Sequence, residues 1–173
     1  MQWTDRIRQV KIILVVAAIL IAVGSLVVSN FLTHDLEQQE RSRMEVWAEA
    51  MRSLNNADEN TDLGLVLTVL NENNTIPVIV IDSHGKVTDF RNVDIQADNY
   101  ADSLARATQE GHRLLAAHRN IRITLDEHTH DYIDVCYDDS LVLKRLALYP
   151  YAQLGVVLLF VVVAIFALLT SKR

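Results

Sequence analysis

The chain has 173 residues, half of them hydrophobic but only 6% aromatic, so its apolar content is mostly Val, Leu, Ile and Ala, the residues of lipid-facing helices. With two long apolar stretches set aside, the remainder suits one small domain. Between those stretches lie 21 acidic against 11 basic side chains, a balance of −10 that argues against nucleic acid or an anionic lipid surface as partner. The single cysteine, Cys136, excludes an intramolecular disulfide, so a core must hold the domain together.

Residues 1–11 are a basic start carrying Arg6, Arg8 and Lys11, and no charge occurs from position 12 to 33. That run is long enough to cross a hydrocarbon core of roughly 30 Å as a helix over 12–32. A cleaved signal peptide would have a shorter apolar region ending in small residues. Here the run passes Asn30 into Phe31 and Leu32, which favours an uncleaved anchor. A second uncharged run, 146–171, predicts a span over 150–170, followed by Lys172 and Arg173 at the end, 171–173. Basic residues at both outer flanks put both ends in the cytoplasm and residues 33–149 outside. The expected location is a cell inner membrane crossed twice, with a periplasmic central domain. Tyr149 and Tyr151 fall where aromatic rings favour the outer interface.

From position 33 to 55 there is no Pro or Gly, and Met44, Trp47, Met51 and Leu54 recur at helical spacing, so the first span should continue outward as one long helix. A short helix over 62–70 with Asp62 as cap follows, then a break at 71–74. Residues 76–93 read as a β-hairpin, with Pro77 at a strand start and Asp82, Ser83, His84 and Gly85 as turn. Residues 97–118 form an amphipathic helix, and 121–126 with 131–139 a second hairpin. Asp139 or Ser140 can cap a last short helix, which Pro150 should separate from the second span. The layout is α+β: an antiparallel sheet of four or five strands with one face covered by helices.

Enzyme chemistry has no visible foothold. There is no phosphate-binding Gly-rich loop, His-Glu-x-x-His, paired-Cys spacing or Gly-x-Ser-x-Gly elbow, so no catalytic residue is assigned. The strongest ligand-like cluster is Asp126, Glu127, His128, His130 and Asp131 in the second hairpin's turn. Imidazoles two apart with carboxylates suit a divalent metal, while the plainer reading is a polar turn at a solvent-facing tip. His84 could join that cluster only if the two turns lie side by side; His112 and His118 read as exposed helix residues. Asp134, Asp138 and Asp139 form an acidic strand end, suited to a cationic ligand or to simple solvation. Cys136 falls on the Asp134 face, with nothing basic nearby to activate its thiol.

The run from Tyr132 through Asp139, Ser140, Leu141, Leu143, Lys144, Leu146, Tyr149, Pro150, Tyr151 and Gln153, leading into an apolar span, resembles the segment before the second transmembrane helix of bacterial two-component sensor histidine kinases. Residues 76–87 look like the first hairpin of the PAS-like or Cache-like domains of that family. About 25 residues carry the specific part of the likeness. The resemblance implies a sensory input module that passes an extracytoplasmic signal through the second span. A dimerisation domain with the phosphoaccepting His and an ATP-binding domain would follow that span. The sequence ends at Arg173 before them, so ATP, Mg and a response regulator would be engaged only through that missing core. The alternatives are a standalone two-span binding protein and a receptor for a different output domain.

Two mechanical expectations follow. The stripe Met44, Trp47, Met51 and Leu54 either pairs two copies as a parallel homodimer or covers the domain's own sheet. Tyr149, Pro150 and Tyr151 should form a jointed relay into the second span. No cofactor is expected in this chain, and the extracytoplasmic ligand is unnamed by the sequence.

Overall fold

The computed structural model describes residues 2–93, 99–126 and 129–170, with side chains for 9–93, 99–126 and 129–166. Eight elements follow in order: α1 (Gln2–Asn55), α2 (Gly64–Glu72), β1 (Val78–Asp82), β2 (Val87–Arg91), α3 (Tyr100–Ala116), β3 (Asn120–Asp126), β4 (Asp131–Tyr137) and α4 (Leu141–Thr170). They divide into two compact units, one of residues 1–36 and 143–173, the other of residues 37–142.

The first unit is a pair of apolar helices. The stretches Gln9–Asn55 and Leu141–Phe166 are each long and apolar enough to cross a membrane, and their most apolar windows bury only 6% and 0% of their residues. A core helix of a water-soluble protein would bury most of that surface. The less exposed positions recur at three- and four-residue spacing: Val15, Ala18, Ala22, Leu26, Ser29 and Thr33 on α1, and Gln153, Val157, Val161 and Ala164 on α4. Small side chains on that stripe let backbones approach closely, and the Ser25 hydroxyl donates across to Gln153 Oε1 at 3.1 Å.

One expectation fails in this unit. Pro150 does not separate a short exit helix from the apolar stretch, because α4 is a single helix with Pro150 inside it. Proline removes one donor, the one that would meet the Leu146 carbonyl. In a long apolar stretch the flanking backbone groups have no better partner than the helix, so one missing bond does not end it.

The second unit is α+β, built on a four-stranded antiparallel sheet of order β2-β1-β4-β3. The two expected hairpins are present and join through their inner strands, Val78 opposite Tyr137 and Val80 opposite Val135. Helices cover both faces, not one. Met44, Trp47, Ala48 and Leu70 of α1 and α2 pack with Val78, Val80, Ile123, Ile133 and Val135. Ala107 and Leu114 of α3 pack with Ile79, Ile81, Val87 and Cys136. The physical reason is the unbroken apolar run of β1, whose residues 78–81 are all buried because each successive side chain meets a different layer. At Gly111 a Cβ would stand 2.9 Å from Ile79 Cγ2, so glycine sets how closely α3 approaches the sheet.

The short helix α2 starts two residues later than expected. Asp62 is not its cap: Leu63 holds that position without a side-chain cap bond, while Asp62 Oδ1 accepts from the Gly64 N–H at 2.9 Å. α3 is capped by Asn99, whose side chain accepts from the Asp102 N–H, and it ends before His118.

Candidate functional site

Residues 138–140 lead from β4 into α4, and four residues distant in sequence hold them: Glu40, Pro77, Arg113 and Arg119. The Asp138 N–H donates to the Pro77 carbonyl at 3.1 Å, extending the β1–β4 pairing by one step. Asp138 Oδ2 stands 3.8 Å from Arg113 Nη2 of α3. Arg119 Nη2 donates to Asp139 Oδ1, and its guanidinium lies 5.8 Å from the centre of the Tyr137 ring. That bond to Asp139 raises the Arg119 pKa above its ordinary value against the opposing effect of burial. Glu40 of α1 takes the fourth hold: its Oε2 accepts from the Ser140 N–H at 3.0 Å and its Oε1 from the Ser140 hydroxyl. A carboxylate with both oxygens on one residue at the start of a helix satisfies an otherwise orphaned donor and suits the positive end of the helix dipole.

Local backbone rules place these side chains. α3 closes with the Arg119 N–H on the Leu114 carbonyl and the His118 N–H on the Leu115 carbonyl, the paired bonds of a Schellman end. His118 takes the left-handed conformation, φ 56°, in the place glycine usually fills. This turn delivers Arg119 beside Asp139. His118 therefore stands past the helix end, correcting its reading as a helix residue.

Asp134 belongs to the same strand but not to a solvated edge. It is 2% exposed, its Oδ1 accepts from Asn120 Nδ2 at 2.8 Å and Arg122 Nε at 3.0 Å, and its Oδ2 accepts from Arg122 Nη2 at 2.8 Å. The β3–β4 register puts Arg122 directly opposite Asp134, so the pair forms as the hairpin closes. Arg122 also lies 4.0 Å from the centre of the Tyr132 ring, and the bond to Asp134 raises its pKa. Cys136 is buried on that face. Its thiol is pushed up to about 12 by burial first and by Asp134 second, so it is an inert core side chain.

The hairpin turns do lie side by side, since the Ser83 hydroxyl donates to Asp131 Oδ1 at 2.9 Å. Asp82 Oδ1 organises the first turn by accepting from the N–H groups of His84 and Lys86. His130 sits in the second turn with φ 55°. Of the proposed metal ligands, Asp126 and His130 are described, while His128 and Glu127 lie outside the described residues. Among the described residues no group of three or more His, Cys, Asp or Glu side chains is placed to hold a metal ion.

The stripe Met44, Trp47, Met51 and Leu54 faces its own sheet. Met44 and Trp47 are 1% and 2% exposed within the core, Met51 and Leu54 pack against it, and the Trp47 indole donates to the Leu70 carbonyl at 3.2 Å. Met44 and Trp47 thus cover the domain's own sheet, the second of the two expectations for this stripe, with Met51 and Leu54 partly buried beside them. Tyr149 and Tyr151 are exposed on α4, and Pro150 between them is half-buried.

Glu40, Arg113, Arg119 and Arg122 were not singled out in the sequence. The available signal was Glu40 itself, a charge placed four and seven residues before Met44 and Trp47 on their apolar face. No protein-family model, curated protein or solved structure matches the chain.

Proposed function

We propose that the chain is the sensory input module of a membrane-bound two-component histidine kinase, with a PAS-like or Cache-like domain outside the cell inner membrane and both ends inside. The reading rests on the two exposed apolar helices with basic outer flanks, together with the likeness at residues 132–154. One observation carries it furthest. Glu40 of α1 grips Ser140, the residue directly before α4, so α1 is hydrogen-bonded inside the domain to the segment that leads into α4. A signal that rearranges β4 or α3 would alter that grip and shift α4 against α1. Such a shift needs only a few kcal/mol of differential ligand affinity between two states. Tyr149, Pro150 and Tyr151 then act as part of a continuous rod rather than as a joint. Two copies in one membrane would pair without the buried Met44 and Trp47, and a response regulator would be reached only through a kinase core joined after the second span.

The test is a chimera carrying a kinase core. Glu40→Gln should change basal autophosphorylation while the sensor stays folded. Unchanged output from a correctly inserted, folded variant would remove the proposed coupling. Membrane-impermeant thiol labelling of a Cys introduced at the exposed Thr61 should occur from outside intact cells. Labelling only after the inner membrane is opened would reverse the topology and favour a different kind of anchored protein.

A further inference from the structure

The sheet of the second unit has two outer strands, β2 on one side and β3 on the other. Two backbone bonds fix which groups of β3 point outward. The Tyr137 N–H donates to the Arg119 carbonyl and the Asp138 N–H to the Pro77 carbonyl, each at 3.1 Å, so β4 turns its odd-numbered residues to β3 and its even-numbered ones to β1. With Ile121 opposite Val135 and Ile123 opposite Ile133, the ladder takes the N–H and C=O groups of Ile121 and Ile123. Those of Asn120, Arg122 and Thr124 point away from the sheet, and no other backbone or side-chain group among the described residues takes them.

The β2 edge is closed by contrast. It has five residues against seven in β3, its pairing with β1 shifts register after Val80, and the Asp89 carboxylate accepts from the outward Phe90 N–H at 2.9 Å. Short length, a bulge and a side chain folded over the edge are ordinary means of blocking strand addition. On β3 the register shifts only beyond Thr124, and the one charge that could guard the edge, Arg122, is turned across to Asp134. Beside this edge runs an open groove of about 690 Å³, bounded by α1 and by residues 121–125, roughly 17 Å of strand. Ile121 and Leu125, both half-buried, line it from the strand; Glu49, Ser53 and Asn56, all exposed, line it from the helix.

A second copy of this chain does not suit the edge. A two-fold axis that pairs one β3 with another stands perpendicular to the sheet. α1 lies against one face of that sheet through Met44, Trp47 and Ala48, so the axis would reverse α1 end for end. Two chains crossing one membrane in the same sense cannot meet that way. The occupant is therefore a different polypeptide, and the balance of −10 between the apolar stretches steers a basic one.

We propose that the β3 edge takes up an extended, basic segment of a separate extracytoplasmic polypeptide as a fifth strand, with alternate apolar side chains over Ile121 and Leu125. Main-chain bonds to Asn120, Arg122 and Thr124 hold it, and the groove beside α1 receives its side chains. Only the exclusion of a second copy rests on the two-span reading. Binding is measured without any output domain, so its failure and the failure of the receptor reading are separate results.

The experiment uses the full chain in nanodiscs of zwitterionic lipid, with empty nanodiscs as the blank. The probe is the fluorescently labelled peptide Lys-Val-Thr-Val-Lys-Val-Thr-Val-Lys, followed by anisotropy, with carbon-13 carbonyls that report strand pairing in the infrared. Saturable binding with a strand signature is expected. The same peptide N-methylated at every amide should not bind, and one with Glu in place of Lys should bind at least tenfold more weakly. Thr124→Pro removes an outward N–H that the fold does not use, as an edge strand tolerates. Ser53→Tyr fills the groove from an exposed helical position. Each variant, once circular dichroism shows it folded, should weaken binding roughly tenfold or more. The proposal is overturned by equal binding of the N-methylated or the Glu peptide, by unchanged affinity in either folded variant, or by no saturable binding at millimolar peptide. Crosslinking of two copies through Thr124→Cys would assign the edge to a second copy and overturn it as well.

Discussion

The Arg122–Asp134 pair yields a prediction that contact counting would get wrong. Deleting Asp134 removes three side-chain hydrogen bonds and deleting Arg122 only two of them, so pairwise counting expects Asp134→Ala to cost the more. Exposure says otherwise: the Arg122 side chain is 55% exposed and that of Asp134 only 3%. In Asp134→Ala the guanidinium returns to water, keeps its contact with Tyr132, and the loss is limited to hydrogen bonds worth roughly 1–2 kcal/mol net. In Arg122→Ala a buried carboxylate keeps only the Asn120 amide of its three side-chain hydrogen bonds, and stranding a buried charge costs about 3–5 kcal/mol. Arg122→Ala should therefore be the more damaging by about 2 kcal/mol, although it alters the more exposed residue. Urea unfolding of the full chain in detergent micelles reads this directly. Trp47 emission is the signal in a Trp3→Phe background, because Trp47 is buried in the core that includes β4. Equal costs, or a costlier Asp134→Ala, would refute the argument that desolvation of the carboxylate dominates this site.

A double-mutant cycle with Glu40→Ala and Ser140→Ala should show a coupling of roughly 1–2 kcal/mol in the same unfolding assay, and strictly additive costs would mean that the bond contributes nothing. His118→Gly should raise stability by about 0.5–1 kcal/mol, since the left-handed backbone there is strained for histidine and free for glycine; a lower urea midpoint would contradict this. The Cys136 thiol, ordinarily near 9.0 and held near 12, favours the folded state fully below pH 9 and loses that contribution as pH rises towards 12. Denaturation midpoints should fall over that alkaline range in the native protein but less in Cys136→Ala, and thiol labelling at pH 8 should be limited by unfolding.

The sequence made secondary structure legible wherever one physical signal dominated. Unbroken apolar length marked both long helices, and β-branched runs bounded by Asp-Ser-His-Gly marked the first hairpin. The errors came where two signals competed. At Asp62 a capping side chain was present, but it bonded the Gly64 N–H and the helix began after Leu63. At Pro150 a helix breaker met a long apolar stretch, and the stretch prevailed. The second helical layer was also readable: residues 78–81 are apolar without alternation, and a strand with one wet face would have alternated.

The candidate site was harder because its residues are bound by register, not by spacing. Asp134 looked like a solvated edge since no rule of sequence separation links it to Arg122; only the pairing of β3 with β4 puts them opposite. The 138–140 segment resembles a known junction, yet its partners are Glu40 of α1, Pro77 before β1, Arg113 of α3 and Arg119 after α3, up to 100 residues away. One clue was nonetheless present. A carboxylate at position 40 on the same helical face as Met44 and Trp47 is out of place on an apolar stripe unless a partner awaits it, because an unpaired charge against a core costs more than the helix gains. A charge that breaks an otherwise apolar face is therefore the position to examine first when the question is which long-range contact a helix makes. Here that contact is with Ser140, the residue directly before α4.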